Sequence, residues 1–318
     1  MLTVLAITFP FFALVLCGYL AVRRAMLAPA AIPALNAFVL YFALPCMLYR
    51  FGAGTPMVQL LDVGVFCVYL LCALIMVGVT LAATLSQRID WNNAAFGALV
   101  AAFPNTGFMG VPLLLALLGP RSSGPVIVTL VIDMVFTSSL CIGVSRIGGA
   151  GAQGGRAALQ SALKGMAVNP LPWALVLGAL TSGLGLELPG PLTHTIALLA
   201  QAASPVALFS IGAVLARSQM NSGGGVAPPG EYVPVALKKL VLHPLLVLGV
   251  GRGAIAVGLP LDSFALSVIV LVACLPSASN VSLLSERFGA DTGRIARIIL
   301  VSTALSFLTF SAAVVMLT

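Results

Sequence analysis

Charge is what this sequence lacks. Of its 318 residues, 15 are Lys or Arg and eight are Asp or Glu, 7% in all. A soluble domain of this length carries about 80 charged residues. So few cannot cover a water-facing surface, which excludes a soluble enzyme and a disordered tail. The formal charge of +7 would suggest nucleic acid only if the basic residues shared one face. They stand one or two at a time between apolar runs, so no nucleic-acid partner is expected. No Cys-x-x-Cys occurs, and the chain has two His. The six cysteines (Cys17, Cys46, Cys67, Cys72, Cys141 and Cys274) all fall inside apolar runs. Neither a metal centre, a disulfide nor any other cofactor is expected. Facing acidic pairs are missing as well, since Asp133 alone lies deep in an apolar run. An intramembrane enzyme is therefore not expected.

What is abundant is hydrophobic sequence, 60% of residues, with a mean hydropathy of +1.15. A spanning helix needs about 20 apolar residues. Ten candidates lie at 3–22, 33–51, 61–85, 92–118, 124–145, 170–185, 194–216, 233–257, 263–285 and 296–317. The connections include a Gly/Ala-rich loop at 146–169 and a flexible Gly/Pro linker at 217–231. The start, Met1-Leu2-Thr3, has no basic region, whereas Arg23-Arg24 follows the first run. That order predicts a signal anchor with its N-terminus outside. Ten spans then leave twelve Lys and Arg on the inner side and only Arg50, Arg121 and Arg252 on the outer. This asymmetry is the positive-inside pattern. The reading is an all-α, multi-pass membrane protein with both termini outside.

Ten spans divide into two sets of five, and an odd number per half predicts that the second half inserts inverted. Phe42-Ala43-Leu44-Pro45-Cys46 in the second span lines up with Ala202-Ala203-Ser204-Pro205-Val206 in the seventh. Phe103-Pro104-Asn105-Thr106-Gly107 in the fourth lines up with Leu275-Pro276-Ser277-Ala278-Ser279 in the ninth. A proline thus falls mid-span at matching places, twice. The expected units are a first five-helix repeat at 1–145, a cytoplasmic loop at 146–169, and a second repeat at 170–318. A mid-span proline removes a backbone donor and clashes with the carbonyl one turn back. In lipid such breaks survive only where protein or a water-filled cavity satisfies the freed groups. The polar residues after Pro104 and Pro276 predict two discontinuous helices near the midplane. Their half-helix N-termini could receive an anion and their exposed carbonyls a cation.

Asp133 sits in Val131-Ile132-Asp133-Met134-Val135. A carboxylate there costs at least ~2.5–3.5 kcal/mol, so it should face the interior with a task or a partner. It is a candidate to carry a proton or ligate Na⁺, and a structural bond to a broken helix is the competing reading. His243 reads as a helix-end residue one turn from Lys238-Lys239. Gly249-x-x-x-Gly253 is a weak helix-contact match. No Lys or Arg is expected deep in a span.

The run Phe103-Pro104-Asn105-Thr106-Gly107-Phe108-Met109-Gly110-Val111-Pro112-Leu113 resembles the signature of the auxin efflux carrier family. That family includes plant auxin exporters and bacterial carriers labelled malonate transporters. Leu275 to Asn280, Ser302-Thr303 and Lys238 to Leu246 resemble its second-half pattern, so the likeness spans essentially the whole chain. The resemblance implies ten helices in two inverted five-helix repeats, with broken helices four and nine crossing at prolines. This is the architecture of the NhaA and bile-acid-symporter superfamily. It implies crossover prolines Pro104 and Pro276, with Pro45 and Pro205 as the other matched pair. Substrate-facing residues would be Asn105, Thr106, Gly107, Ser277, Ser279 and Asn280. It also implies a scaffold domain and a transport domain that move against each other, and it suggests a homodimer. Asp133 falls where plant members are polar but not acidic, which hints at cation coupling. The long cytoplasmic loop of many plant members is missing.

The expected function is secondary transport of a small organic anion, a carboxylate such as malonate, across the bacterial inner membrane by alternating access. The coupling ion would be H⁺ or Na⁺, through Asp133. A sodium-coupled, bile-acid-symporter-like carrier and a membrane sensor that binds ligand without moving it are the alternatives.

Overall fold

A computed structural model describes residues 2–54, 62–146, 170–221 and 228–317. The expected loop at 146–169 and much of the linker at 217–231 lie outside the described residues. The elements are all helical. They are α1 (Leu2–Arg23), α2 (Pro29–Gly54), α3 (Val63–Thr84), α4 (Trp91–Ala102), α5 (Thr106–Leu118) and α6 (Pro120–Ser145). Then follow α7 (Pro170–Gly183), α8 (Gly190–Asn221), α9 (Pro229–Ala256), α10 (Ser263–Cys274), α11 (Asn280–Arg287) and α12 (Thr292–Leu317). Every apolar run of the sequence holds helix. Six (α2, α3, α6, α8, α9 and α12) are long and apolar enough to cross a bilayer unaided. The fourth and ninth runs are each split, into α4 and α5 and into α10 and α11.

Sequence sets the helix starts. Asp62 and Asp90 each accept a hydrogen bond from the amide three residues on, Val65 N–H at 2.9 Å and Asn93 N–H at 2.8 Å. Asp291 does the same for Arg294 N–H at 2.9 Å. A carboxylate here satisfies an orphan donor and complements the helix dipole. Three of the seven acidic residues near span ends are therefore caps.

Proline explains three wide turns. π-Helical turns at Val39–Ala43, Thr106–Gly110 and Lys238–Leu242 each end two residues before a proline, Pro45, Pro112 and Pro244. The carbonyl that each ring would strike belongs to Tyr41, Phe108 or Leu240, at the centre of the wide turn. Widening moves that carbonyl aside and keeps the helix going. Pro205 lies inside an uninterrupted α8. Pro45 and Pro205 thus do not break their helices, whereas Pro104 and Pro276 sit in true interruptions.

The helices form two groups. α1 lies along α8, α7 lies along α2, and α2 packs on α8. The second group joins α3, α4, α6, α9, α10 and α12, with α5 reaching α1 and α8 across the boundary. Close approach in the first group depends on glycine. A Cβ at Gly18 would fall on the Phe209 carbonyl, and one at Gly212 on the Val15 carbonyl. Likewise a Cβ at Gly52 would strike Leu175 O, and one at Gly178 would strike Tyr49 O. Gly249 and Gly253 have open space around their Cα atoms, so the expected GxxxG contact is not made within this chain.

These contacts predict an asymmetry among glycines. Gly178→Leu should abolish recovery of monodisperse protein from membranes, because α7 would have to leave α2. Gly249→Leu should be recovered like the unmodified chain. Size-exclusion profiles of fluorescent fusions read both, and equal recovery would contradict the packing.

Candidate functional site

The two interruptions meet. Pro104 and Ser277 stand opposite each other as an antiparallel bridge. The Asn105 N–H donates to Pro276 O at 2.8 Å, and the Ala278 N–H donates to Phe103 O at 2.9 Å. Proline cannot donate, so each break leaves helix carbonyls without their usual partners. The chain answers by letting each broken helix hydrogen-bond the other. The Ser277 N–H, lost to α10, donates instead to Ser302 Oγ of α12 at 3.2 Å. Gly110 permits the approach, since a Cβ there would overlap the Leu275 side chain. Gly107 has ordinary room for a Cβ beside Leu130.

Polar side chains gather at this crossing. Asn105, Thr106 and Ser277 are buried. Thr106 Oγ1, Ser277 Oγ and Asn280 Oδ1 are buried and have no hydrogen-bond partner in the protein. Buried polar atoms are rarely left so, and clusters of them mark places where a solute or water completes the set. Beside them opens a recess of about 390 Å³ including its mouth. One wall is Ser279, Asn280 and Ser282 at the start of α11, with Phe108 of α5. The facing wall is Asn36, Val39 and Leu40 of α2 and Ala207, Ile211 and Val214 of α8. The recess therefore lies between the two helix groups. Of the residues expected at a solute site, Ser279 and Asn280 line it. Asn105, Thr106, Gly107 and Ser277 lie at the crossing without lining the recess. Asn36 was not anticipated. A single Asn in a mostly apolar helix carries no sequence signal until α8 is packed beside it.

A second polar group lies behind the crossing, within the larger helix group. Asp133 is fully buried in a π-helical turn at Ile132–Thr137, which no proline accompanies. Its carboxylate accepts from Tyr69 Oη at 3.1 Å and from Thr137 Oγ1 at 3.2 Å. Its carbonyl accepts the Ser138 N–H of the wide turn and also Ser138 Oγ at 2.8 Å. Lys239 of α9 is also fully buried. The expectation that no Lys or Arg lies deep is thus corrected. Of the adjacent pair, Lys238 is partly exposed while Lys239 turns inward, and Arg294 is also buried. Lys239 Nζ bonds His243 Nδ1 at 3.0 Å and donates to Ala273 O at 2.8 Å. His243 is buried too, with its ring 5.9 Å from that of Tyr69. Its expected place at an exposed helix end is corrected with it. An i, i+4 Lys–His pair was the available signal.

A recess between two helix groups, bordered by broken helices, is an arrangement that solute carriers use. The comparisons decide the family. The model of the membrane transport protein family matches residues 3–148 and 155–314. The chain belongs to that family. It is the auxin-efflux-carrier type that the segment from Phe103 to Leu113 resembles. A "Putative malonate transporter" of Rhizobium meliloti is 29% identical over 97% of this chain and 94% of its own length. The "Uncharacterized transporter YfdV" of Escherichia coli K12 is 30% identical over 63% of this chain and 60% of its own. Membership in the membrane transport protein family makes this a membrane-embedded transporter.

The buried polar group yields a ranking of variants. Asp133→Ala leaves the buried Tyr69 and Thr137 hydroxyls without their acceptor, and at about 1–3 kcal/mol for each should cost about 2–6 kcal/mol of stability. Tyr69→Phe removes one donor and should cost about 1–3 kcal/mol. Melting temperatures of the purified protein should fall in that order. An Asp133→Ala variant as stable as the unmodified chain would contradict the arrangement.

Proposed function

We propose that this chain is a secondary carrier of a small organic anion, a carboxylate such as malonate. It works by alternating access around the crossing of α4–α5 with α10–α11. The observation that carries the reading is the mutual backbone pairing at Pro104 and Ser277 beside a recess bordered by Asn280 and Asn36. A half-helix N-terminus with Asn and Ser side chains offers N–H and O–H donors to a carboxylate without a fixed positive charge. Ser279 and Asn280 at the start of α11 supply that setting, and Asn36 reaches the same recess from the opposite group. Asn105, Thr106, Gly107 and Ser277 shape and hold the crossing that presents it. Sliding of one helix group past the other would expose the recess to each side in turn, with α1, α2, α7 and α8 as the scaffold.

In this reading the chain crosses the inner membrane ten times, with both ends outside. Residues 1–145 and 170–318 are inverted five-helix repeats. One register supports the division. Pro45 and Pro205, Gly52 and Gly212, and Gly18 and Gly178 are all separated by 160 residues. The contact of α1 with α8 through Gly18 and Gly212 is repeated by the contact of α7 with α2 through Gly178 and Gly52. A two-fold relation between halves produces that exchange of partners. The malonate label of the Rhizobium meliloti relative, which covers nearly the whole chain, supports a carboxylate substrate. Asp133 is the acid of the coupling region.

The test is counterflow in proteoliposomes with a panel of labelled carboxylates, malonate first, with and without pH and sodium gradients. Asn280→Ala and Asn105→Ala should abolish exchange while the protein still purifies as a folded species. Asn36→Ala should raise the half-saturating concentration. Unchanged exchange in both Asn280→Ala and Asn105→Ala defeats the site. Saturable binding with no exchange would select a sensor instead.

A further inference from the structure

The break in α10 exposes the negative end of a half-helix. Leu275 N–H turns back to Val272 O at 3.1 Å, Pro276 has no N–H, and Ser277 N–H goes to Ser302 Oγ. Ala273 O would normally accept from Ser277 N–H, so it loses its helical donor. Carbonyls at such a point, reinforced by the partial negative charge of the helix C-terminus, are where a discontinuous helix coordinates a cation. Here the position is filled from within. The Lys239 ammonium donates to Ala273 O at 2.8 Å. Its second contact is His243 Nδ1 at 3.0 Å. With Lys239 as the donor, Nδ1 accepts and the His243 hydrogen sits on Nε2, a buried nitrogen without a partner among the described residues. Asp133 of α6, held by Tyr69 and Thr137, borders the same group, since the Tyr69 ring lies 5.9 Å from that of His243. Cys72 of α3 and Cys274 of α10 complete the titratable groups around it.

We propose that Lys239 is a resident cation of this carrier. Its ammonium occupies the place at the end of α10 that a coupling metal ion would take, and it locks the interrupted helix in its crossed geometry. Sodium then has no site at the crossing. The wide turn at Lys238–Leu242, two residues before Pro244, carries both lysines, and the turn of about 100° between adjacent residues directs them to different sides. One lysine of the pair faces the interior and the other faces the surface. The bonds of Lys239 to Ala273 O and to His243 tie α9 to the end of α10 behind the solute recess.

This inference gives a role within the carrier reading above, but its test does not need a transported substrate. Full-length protein purified in detergent is melted in matched sodium and choline chloride, with and without propylammonium, the fragment removed by Lys239→Ala. The unmodified chain should melt at the same temperature in sodium and in choline. Lys239→Ala should melt at least about 4 °C lower and recover with propylammonium. Lys239→Met, which keeps the bulk and lacks the charge, should stay low and gain nothing from propylammonium. Stabilisation of the unmodified chain by sodium over choline would overturn the proposal. So would a Lys239→Met variant as stable as the unmodified chain. If Lys239→Ala does not fold, those two comparisons still decide. Absence of carboxylate counterflow alongside the expected melting pattern would defeat the carrier reading and leave the resident cation standing.

Discussion

The structure depends on one constraint, the need to satisfy every backbone polar group without water. In a hydrocarbon layer an unpaired N–H or C=O costs several kcal/mol. Two helices of this chain are interrupted by proline in the interior, and neither could survive there alone. They survive because each supplies what the other lacks. Asn105 N–H takes Pro276 O, Ala278 N–H takes Phe103 O, Ser302 takes the displaced Ser277 amide, and Lys239 takes the Ala273 carbonyl. The crossing is thus a consequence of the interruptions, not an addition to them.

Once the backbone is satisfied in this way, other features follow. Side-chain oxygens of Thr106, Ser277 and Asn280 remain free, because the backbone has already been paired by other means. The start of α11 borders a recess between two groups of helices, and the opposite, negative end of α10 is capped by a lysine. One end leaves side-chain oxygens unpaired among the described residues, and the other holds Lys239. The two lie on opposite sides of the same break. The four glycines that seat α1 on α8 and α7 on α2 make the first group a closely packed unit.

Much of this was legible in the sequence, and the reason is physical. Lipid punishes charge and unpaired backbone so strongly that apolar runs, proline breaks and a lone Asp133 stand out at once. Helix existence in all ten runs, the interruptions after Phe103 and Leu275, and the interior place of Asp133 followed directly. The lysine pair misled because adjacent residues on a helix face differ by about 100°, and two lysines near a span end read as an interfacial anchor. Only the carbonyl of Ala273, 34 residues away, decides which one turns inward. Tyr69 was invisible for a related reason. Its helix, α3, is apolar on all sides, so no face could be told from another. Asn36 became informative only when α8 was seen beside it.

A structure of the full-length protein in lipid nanodiscs, determined by electron cryo-microscopy with malonate present, bears most directly on the central claim. The account predicts that residues 103–105 and 276–278 run antiparallel within hydrogen-bonding distance, with solute density against Asn280. Two continuous helices passing without backbone contact, or density for the solute remote from their crossing, would contradict it.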